Sequence, residues 1–355
     1  MKKRLAVVGC GKIFAKHYEA IKLQERKNNL ILIAICDQSL DLLDNIPIKN
    51  VNKYTSIDEL LKNEKIDIVS ILTPSGFHYE NAIKFSGKVK SIIIEKPLTL
   101  KISDSKKLIQ KCKKDKTNIY VVLQNRFNEP IIELKKAIDQ NLFGKIFLVT
   151  IRLRWSRGED YYSQSKWRGT WKLDGGVVAN QSSHFIDLFQ WLFGMPKKVF
   201  SRIRQMHNIK KEVEDTALAI FEYDERNKLG LIELTNAIRP KNLEGSISVI
   251  GEKGSVIIGG MSGDKLVEWT IKKNSKIKKM LKTKIIKKNG HIMFYEYVID
   301  NIKKNNKNFL SAEEGIKSLK IINSIYKSSE QSYPFEIKKI KDTFLGSNKK
   351  NNKNL

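Results

Sequence analysis

Leu5-Ala6-Val7-Val8-Gly9-Cys10-Gly11-Lys12-Ile13-Phe14 is the stretch that decides the fold. Its four leading apolar residues form the short run that a buried parallel strand needs. Gly9 and Gly11 permit a tight turn. The amphipathic segment behind them, with Ile13, Phe14, His17 and Ile21, reads as a helix. Strand, glycine turn and helix together open a dinucleotide-binding unit. The third glycine of a GxGxxG pattern is missing, because Phe14 stands there. Two glycines alone are a weak signal, and the strands downstream give the turn its meaning.

A second apolar run, Leu30 to Cys36, ends in Asp37. An acidic side chain at that strand end can bind an adenosine ribose diol and repel a 2′-phosphate, which favours NAD over NADP. Asp37 lies further from the glycines than the usual ~20 residues, and a longer helix and loop around Gln24 to Asn29 accounts for it. The alternative is an ordinary strand-end turn residue. Further buried strands are read at Ile66–Leu72, Ser91–Ile94 and Ile119–Leu123. They end in Thr73-Pro74-Ser75-Gly76-Phe77-His78, in Glu95-Lys96-Pro97-Leu98 and in Gln124-Asn125-Arg126-Phe127. Helical patterns separate them, which predicts an α/β domain with a doubly wound parallel sheet over residues 1–125. Ligands sit at the carboxyl ends of such strands.

After Arg126 the pattern changes. A helix with Ile131, Leu134 and Ile138 runs toward Gly144, and Ile151-Arg152-Leu153-Arg154-Trp155 then alternates as a half-exposed strand does. Strand-like segments follow at 199–206, 216–223, 229–237, 246–250 and 255–258, with no helix between them. They predict an α+β domain over 126–340 with a large open, mainly antiparallel sheet. A terminal helix spans Ala312 to Tyr326, and residues 341–355, rich in Asn and Lys, are expected to be a disordered tail.

Between the first of these strands and the rest lies Tyr161 to Gly194. Gly175-Gly176 opens a helical pattern with Phe185, Leu188, Phe189 and Leu192 as its apolar stripe; Gly194 and Pro196 end it. Asn180, His184 and Asp187 are four and three apart and are expected to share a second, polar face. His184 has the residue type for proton transfer near neutrality. Alone it is equally a satisfied helix histidine. The glycine pair would let a ligand approach the backbone.

The chain has 355 residues and a formal net charge of +28. That charge suits nucleic acid, anionic lipid or an acidic small molecule, or reflects a Lys-, Asn- and Ile-rich composition. The run Lys272 to Lys288 is its densest part; few aromatics interleave, so it reads as a solvated loop or edge and not as a nucleic-acid site. Three cysteines, Cys10, Cys36 and Cys112, have no metal-binding or disulfide spacing. No apolar run approaches the length of a membrane span, and the start of the chain is too short for a signal peptide, so a cytoplasmic protein without metal is expected.

These pieces together resemble the Gfo/Idh/MocA family of NAD(P)-dependent sugar and cyclitol oxidoreductases. The residues that carry it are Gly9-Cys10-Gly11 with His17, Asp37, Thr73-Pro74 with His78, Glu95-Lys96-Pro97-Leu98, and Gly175-Gly176 through His184 to Asp187. Gly290-His291 with Phe294-Tyr295 looks like a C-terminal piece of the same family. The resemblance implies NAD bound by Gly9, Gly11, Lys12, Ile13, Asp37, Thr73, Pro74, His78, Glu95, Lys96 and Gln124. It implies Lys96 and His184 as catalytic residues and Pro97 after a cis bond. Homodimer or homotetramer contacts through the open sheet are also implied. Many members carry Asp where Asn180 stands. Asn looks like the subset acting at C3 of UDP-N-acetylamino-sugar uronates in surface-polysaccharide synthesis. Trp167-Arg168 resembles that subset's tryptophan-plus-basic pair, with Asn180, Arg168, Trp167, Tyr162 and Asp187 as substrate-binding residues; inter-domain packing is the other reading of the tryptophans. An inositol or free-sugar dehydrogenase and a non-catalytic NAD-binding regulator are the competing functions. A sensor needs neither Lys96 nor His184.

Overall fold

The computed structural model describes residues 2–207, 209–272, 275–282, 289–304 and 308–348. They form two compact units. The first is Met1–Gln124 with Asn289–Ile316, the second Asn125–Lys288 with Lys317–Leu355. The sequence pattern predicts one boundary between the domains, near 125; the chain instead passes between units three times. Helix Gly290–Lys304 belongs to the first unit because His291, Phe294, Tyr295 and Val298 bury there, beside helix Phe14–Arg26.

The first unit holds β1 (Lys3–Val8), β2 (Leu30–Cys36), β3 (Asn52–Tyr54), β4 (Ile68–Ile71), β5 (Ser91–Ile94) and β6 (Asn118–Val121). Their order is β3-β2-β1-β4-β5-β6, and every pair is parallel. The sheet reverses between β1 and β4, and a dinucleotide binds at such a reversal. Burial of β4 and β5 on both faces explains their unbroken apolar runs. β3 has no such run; it is a three-residue edge strand with two exposed side chains.

The second unit holds β7 (Ile146–Arg154), β8 (Lys198–Arg204), β9 (Thr216–Glu222), β10 (Leu229–Thr235), β11 (Glu244–Gly251), β12 (Gly254–Gly259), β13 (Lys265–Trp269) and β14 (Phe335–Glu336). The order is β13-β12-β11-β7-β10-β9-β8-β14. All pairs are antiparallel except β7 with β10. One face is the core: Val149, Ile151 and Leu153 alternate with outward residues, as do Ala217, Ala219 and Phe221. Helix Ser183–Phe193 packs on that face, and Phe189 meets Phe221 at 5.1 Å between ring centroids.

Two expectations change here. The Lys272–Lys288 run is not all loop: Ser275–Lys282 is a helix that buries Ile277 and Met280 beside β13. Residues 273–274 and 283–288 lie outside the described residues. The disordered tail does not begin at 341, because Leu345 is fully buried and Phe344 packs edge-on to Trp171 at 4.6 Å. Residues 349–355 lie outside the description.

Candidate active site

In the first unit β1 delivers Gly9 and Gly11 to the sheet's reversal point. Gly9 has φ +98°, and a Cβ there would lie 2.7 Å from the Leu72 carbonyl carbon, so only glycine fits. Gly11 faces the other way: nothing lies within 4 Å of where its Cβ would be. That open space directly precedes helix Phe14–Arg26, and the positive end of a helix dipole suits a diphosphate. Asp37 follows β2; its Oδ2 accepts from Cys10 N–H at 2.8 Å and its Oδ1 from Ser39 N–H at 3.0 Å. The carboxylate thus braces the glycine turn as well as standing where a ribose diol would reach it. The residues fit a dinucleotide. Lys12 is exposed, and Ile13 caps the helix half-buried.

β4 leads to Thr73 and Pro74, and the short turn Ser75–Phe77 follows. His78, 1% exposed, clamps the loop: its Nδ1 lies 2.8 Å from the Pro97 carbonyl and its Nε2 2.9 Å from the Thr73 carbonyl. Burial pulls its pKa down against these two acceptors, which favour the charged ring. β5 leads to Glu95 and Lys96, and the Lys96–Pro97 bond is cis, as the resemblance implies. Glu95 is buried; its Oε2 accepts from Lys96 N–H at 3.0 Å and its Oε1 lies 2.9 Å from His17 Nε2. His17 Nδ1 meets the Tyr295 hydroxyl at 2.9 Å, and that hydroxyl meets Ser70 Oγ at 2.9 Å. His291 Nε2 stands 3.7 Å from Glu95 Oε1. Burial works against ionising Glu95, yet the two histidines hold its carboxyl well below the usual carboxylate range.

His78 and Glu95, expected to meet the cofactor, here brace the strand ends that carry Thr73, Lys96 and Pro97. Both His78 nitrogens and Glu95 Oε2 meet the backbone of Thr73, Lys96 and Pro97, while Glu95 Oε1 faces His17 and His291. His17, His291 and Tyr295 complete the support for Lys96. Gln124 opens the turn Gln124–Phe127, and its carbonyl lies 3.2 Å from where a Gly290 Cβ would be.

In the second unit the glycine pair does not open a plain α-helix. Val177–Gln181 is a π-helical turn, and the α-helix proper is Ser183–Phe193. A π turn adds a residue to the helical repeat, so the expected polar face is broken. His184 remains partly exposed and Asn180 half-buried. Asp187 instead points inward, 1% exposed, and takes both its oxygens to the Arg126 guanidinium at 2.8 and 2.7 Å. Arg126 is itself fully buried and requires a counter-charge. Asp187, expected among the substrate-binding residues, is the buried ion-pair partner of Arg126.

Close approach at Gly176 is also internal. A Cβ there would lie 2.2 Å from the Glu214 carboxyl, so the glycine makes room for a buried side chain and not for a ligand. Tyr162 is buried too, packed edge-on to Tyr161 and under Lys211. It is 6% exposed. Trp167 and Arg168 are half-buried, with the guanidinium 4.8 Å from the Trp167 ring and 4.3 Å from the Tyr161 ring.

Asp174 escaped the sequence reading. It is fully buried; one oxygen accepts from Gly169 N–H at 2.7 Å and the other from Asn180 Nδ2. An acidic residue directly before a glycine pair was the available signal. Gln181 is the next link: its Nε2 donates to the Tyr161 hydroxyl at 3.2 Å, and its Oε1 accepts from Asn236 Nδ2 at 2.9 Å. The first unit thus presents a lysine on a rigid, dinucleotide-fitting sheet. The second presents an imidazole and an oriented amide.

Known proteins bear on both units. "Oxidoreductase family, NAD-binding Rossmann fold" matches residues 3–123, and "Oxidoreductase family, C-terminal alpha/beta domain" matches residues 135–337. The WlbA dehydrogenase of Bordetella pertussis, solved with NADH and UDP-GlcNAcA, is 31% identical, with a TM-score of 0.86 over 95% of this chain and 99% of that one. The WlbA dehydrogenase of Chromobacterium violaceum, solved with the same two ligands, is 32% identical, with a TM-score of 0.87 over 94% and 96%. The myo-inositol 2-dehydrogenase of Thermotoga maritima is 26% identical over 262 residues, 71% of this chain and 74% of that protein. With both halves matched, the chain is a member of the Gfo/Idh/MocA oxidoreductase family and an NAD-dependent dehydrogenase.

Proposed function

We propose that this chain oxidises a secondary hydroxyl of a UDP-N-acetylamino sugar or its uronate to a ketone, at C3, within surface-polysaccharide synthesis in the cytoplasm. The observation that carries the reading is the similarity to two dehydrogenases solved with UDP-GlcNAcA, at above 30% identity and over nearly the whole of each chain. His184 takes the hydroxyl proton as the carbon gives up its hydride, and the C–O bond becomes C=O. Bound NAD supplies the hydride acceptor. Lys96, its backbone fixed by Glu95, donates to the reacting oxygen and stabilises alkoxide charge. Asn180 orients the sugar, held in turn by Asp174. Thr73, Pro74 and Gln124 line the cofactor, and Trp167 and Arg168 bear on the substrate.

The proposed assembly is a homodimer or homotetramer. Phe200, Leu218, Ile220, Ile250 and Ile257 are exposed on the face of the sheet opposite the core, and Phe200 is in register with Ile220. A second copy of the chain would bury them. Inositol dehydrogenation is the second reading, favoured by the Thermotoga maritima relative.

Two measurements test the proposal. A thermal-shift panel with NAD present compares UDP-GlcNAc, UDP-GlcNAcA, inositols and free sugars, and the nucleotide sugars should stabilise most. Single-turnover reduction of bound NAD should then fall ~10²–10⁴-fold in His184→Asn and strongly in Lys96→Met, with NAD affinity retained. Near-parental reduction by both variants would refute the catalytic roles and favour the regulator.

A further inference from the structure

We propose that Arg157 and Arg168, laid against the rings of Trp155, Tyr161 and Trp167, form a two-guanidinium subsite for the diphosphate of a nucleotide-linked substrate. The proposal rests on the nucleotide-sugar reading above and names a residue, Arg157, that neither the sequence motifs nor the similarity singled out.

All five side chains belong to the second unit. The Arg157 guanidinium lies 4.8 Å from the Trp155 ring and 5.2 Å from the Tyr161 ring. Arg168 lies 4.3 Å from the same Tyr161 ring and 4.8 Å from Trp167. Rings hold a guanidinium in place through its face while leaving its edge of N–H groups able to bond in plane. Two like charges on one ring repel unless an anion joins them. Burial, and then the like charge of Arg168 against the help of Tyr161 and Tyr162, holds the Arg157 pKa below its ordinary value.

The charges have no internal answer. Among the described residues no carboxylate lies within ion-pair distance, 4.0 Å, of either guanidinium. Glu159 and Asp160, in the one-turn helix Glu159–Tyr162, are exposed, and the oxygens of buried Asp174 accept from Gly169 and Asn180. Arg157 Nη1 donates to the Ser156 carbonyl at 2.7 Å and to Asn242 Oδ1 at 3.2 Å, which fixes the side chain without neutralising it. Arg168 Nε and Trp155 Nε1 are buried donors with no acceptor among the described residues. Both groups only donate, and buried donors are rarely left unpaired. The cluster therefore lacks acceptor atoms and two negative charges. A single carboxylate answers one guanidinium; a diphosphate diester brings two charges and several acceptor oxygens.

The cluster is tied to the catalytic turn. The Tyr161 hydroxyl accepts from Gln181, next to Asn180 and three residues before His184. A sugar held at Asn180 and His184 would carry its diphosphate toward this stack.

The test is calorimetric titration of UDP into the full-length protein saturated with NAD, for the parent, Arg157→Met, Arg168→Met and Arg157→Lys. UDP carries the diphosphate and no carboxylate. Each Met variant should weaken UDP roughly 10- to 100-fold. Arg157→Lys, keeping the charge without the plate, should lose less. NAD affinity and thermal midpoint, read on the same samples, should stay at the parent's values. If the parent binds UDP and both Met variants bind it equally well, the subsite is overturned while the nucleotide-sugar reading stands. A loss seen with UDP-GlcNAcA but not with UDP would assign the stack to the uronate carboxylate and overturn the diphosphate. A parent that binds no UDP and oxidises inositol overturns both readings.

Discussion

Glu214 should make this protein less stable as pH rises from about 4.5 toward neutrality, and replacing it by Gln should abolish the effect. Glu214 is fully buried on the strand side of the Gly176 turn. Its Oε1 accepts from Val178 N–H at 3.0 Å and from the Tyr326 hydroxyl at 2.9 Å, while its Oε2 has no partner among the described residues. Burial pushes its pKa up to about 7 from 4.5, against the Val178 and Tyr326 bonds and the Lys211 charge. Below pH 4.5 the group is protonated folded and unfolded alike, and nothing is lost. Between 4.5 and about 7 the folded protein holds the extra proton, so stability falls with rising pH. Above about 7 the full cost is reached, of order 3 kcal/mol at about 1.4 kcal/mol per pH unit. Glu214→Gln keeps the carbonyl acceptor and removes the titration. Urea unfolding of both proteins from pH 4.5 to 8 measures it: the difference should move toward the variant by about 3 kcal/mol across that range. His17 and His78, whose pKa values burial lowers, tilt both proteins equally and cancel in the difference. Parallel stability profiles would refute the argument, because a titrating buried carboxyl cannot leave them parallel.

The remaining predictions concern the two units separately. Asp37→Ala should weaken NAD and narrow its advantage over NADP in equilibrium titrations, since the ribose acceptor and the brace on Cys10 N–H go together; equal affinities in the parent would sink the NAD preference. Asp187→Ala should cost about 3–5 kcal/mol in urea unfolding by stranding the buried Arg126. Arg126→Met added to it should recover most of that loss.

What the sequence made legible depends on how locally each feature is encoded. β2 and β5 could be read because burial on both faces requires an unbroken apolar run, and Asp37 and Lys96 because they close such runs. Asn52-Lys53-Tyr54 could not, because an edge strand needs no such run. The His184 helix was legible from Phe185, Leu188 and Leu192, but the π turn before it was not. That turn depends on Glu214 filling the space beside Gly176, thirty-eight positions away. The Arg126–Asp187 and Glu95–His291 contacts likewise join residues far apart in the chain. Spacing within one segment carries no trace of which distant charge will answer it. Residues 289–304 were assigned to the wrong core for the same reason, since Phe294, Tyr295 and Val298 form an ordinary helical stripe that would suit either sheet.

Asn180 is the residue where reading by resemblance and reading by contact differ most. Set against the family pattern with Asp, the Asn looks like the loss of a carboxylate one helical turn from His184. In the folded chain the carboxylate is present, six positions earlier, as Asp174. Asp174 takes N–H donors from Gly169 and from the Asn180 amide. The amide nitrogen must face Asp174, because an amide oxygen there would meet an acceptor. That fixes which way the Asn180 side-chain amide is turned. An aspartate at 180 would press two carboxylates together, and one would have to take up a proton. Asn180 is thus the side chain that a buried Asp174 demands, and the two form one oriented unit. The charge has moved inward, to a buried carboxylate six positions earlier that the Asn180 amide nitrogen answers.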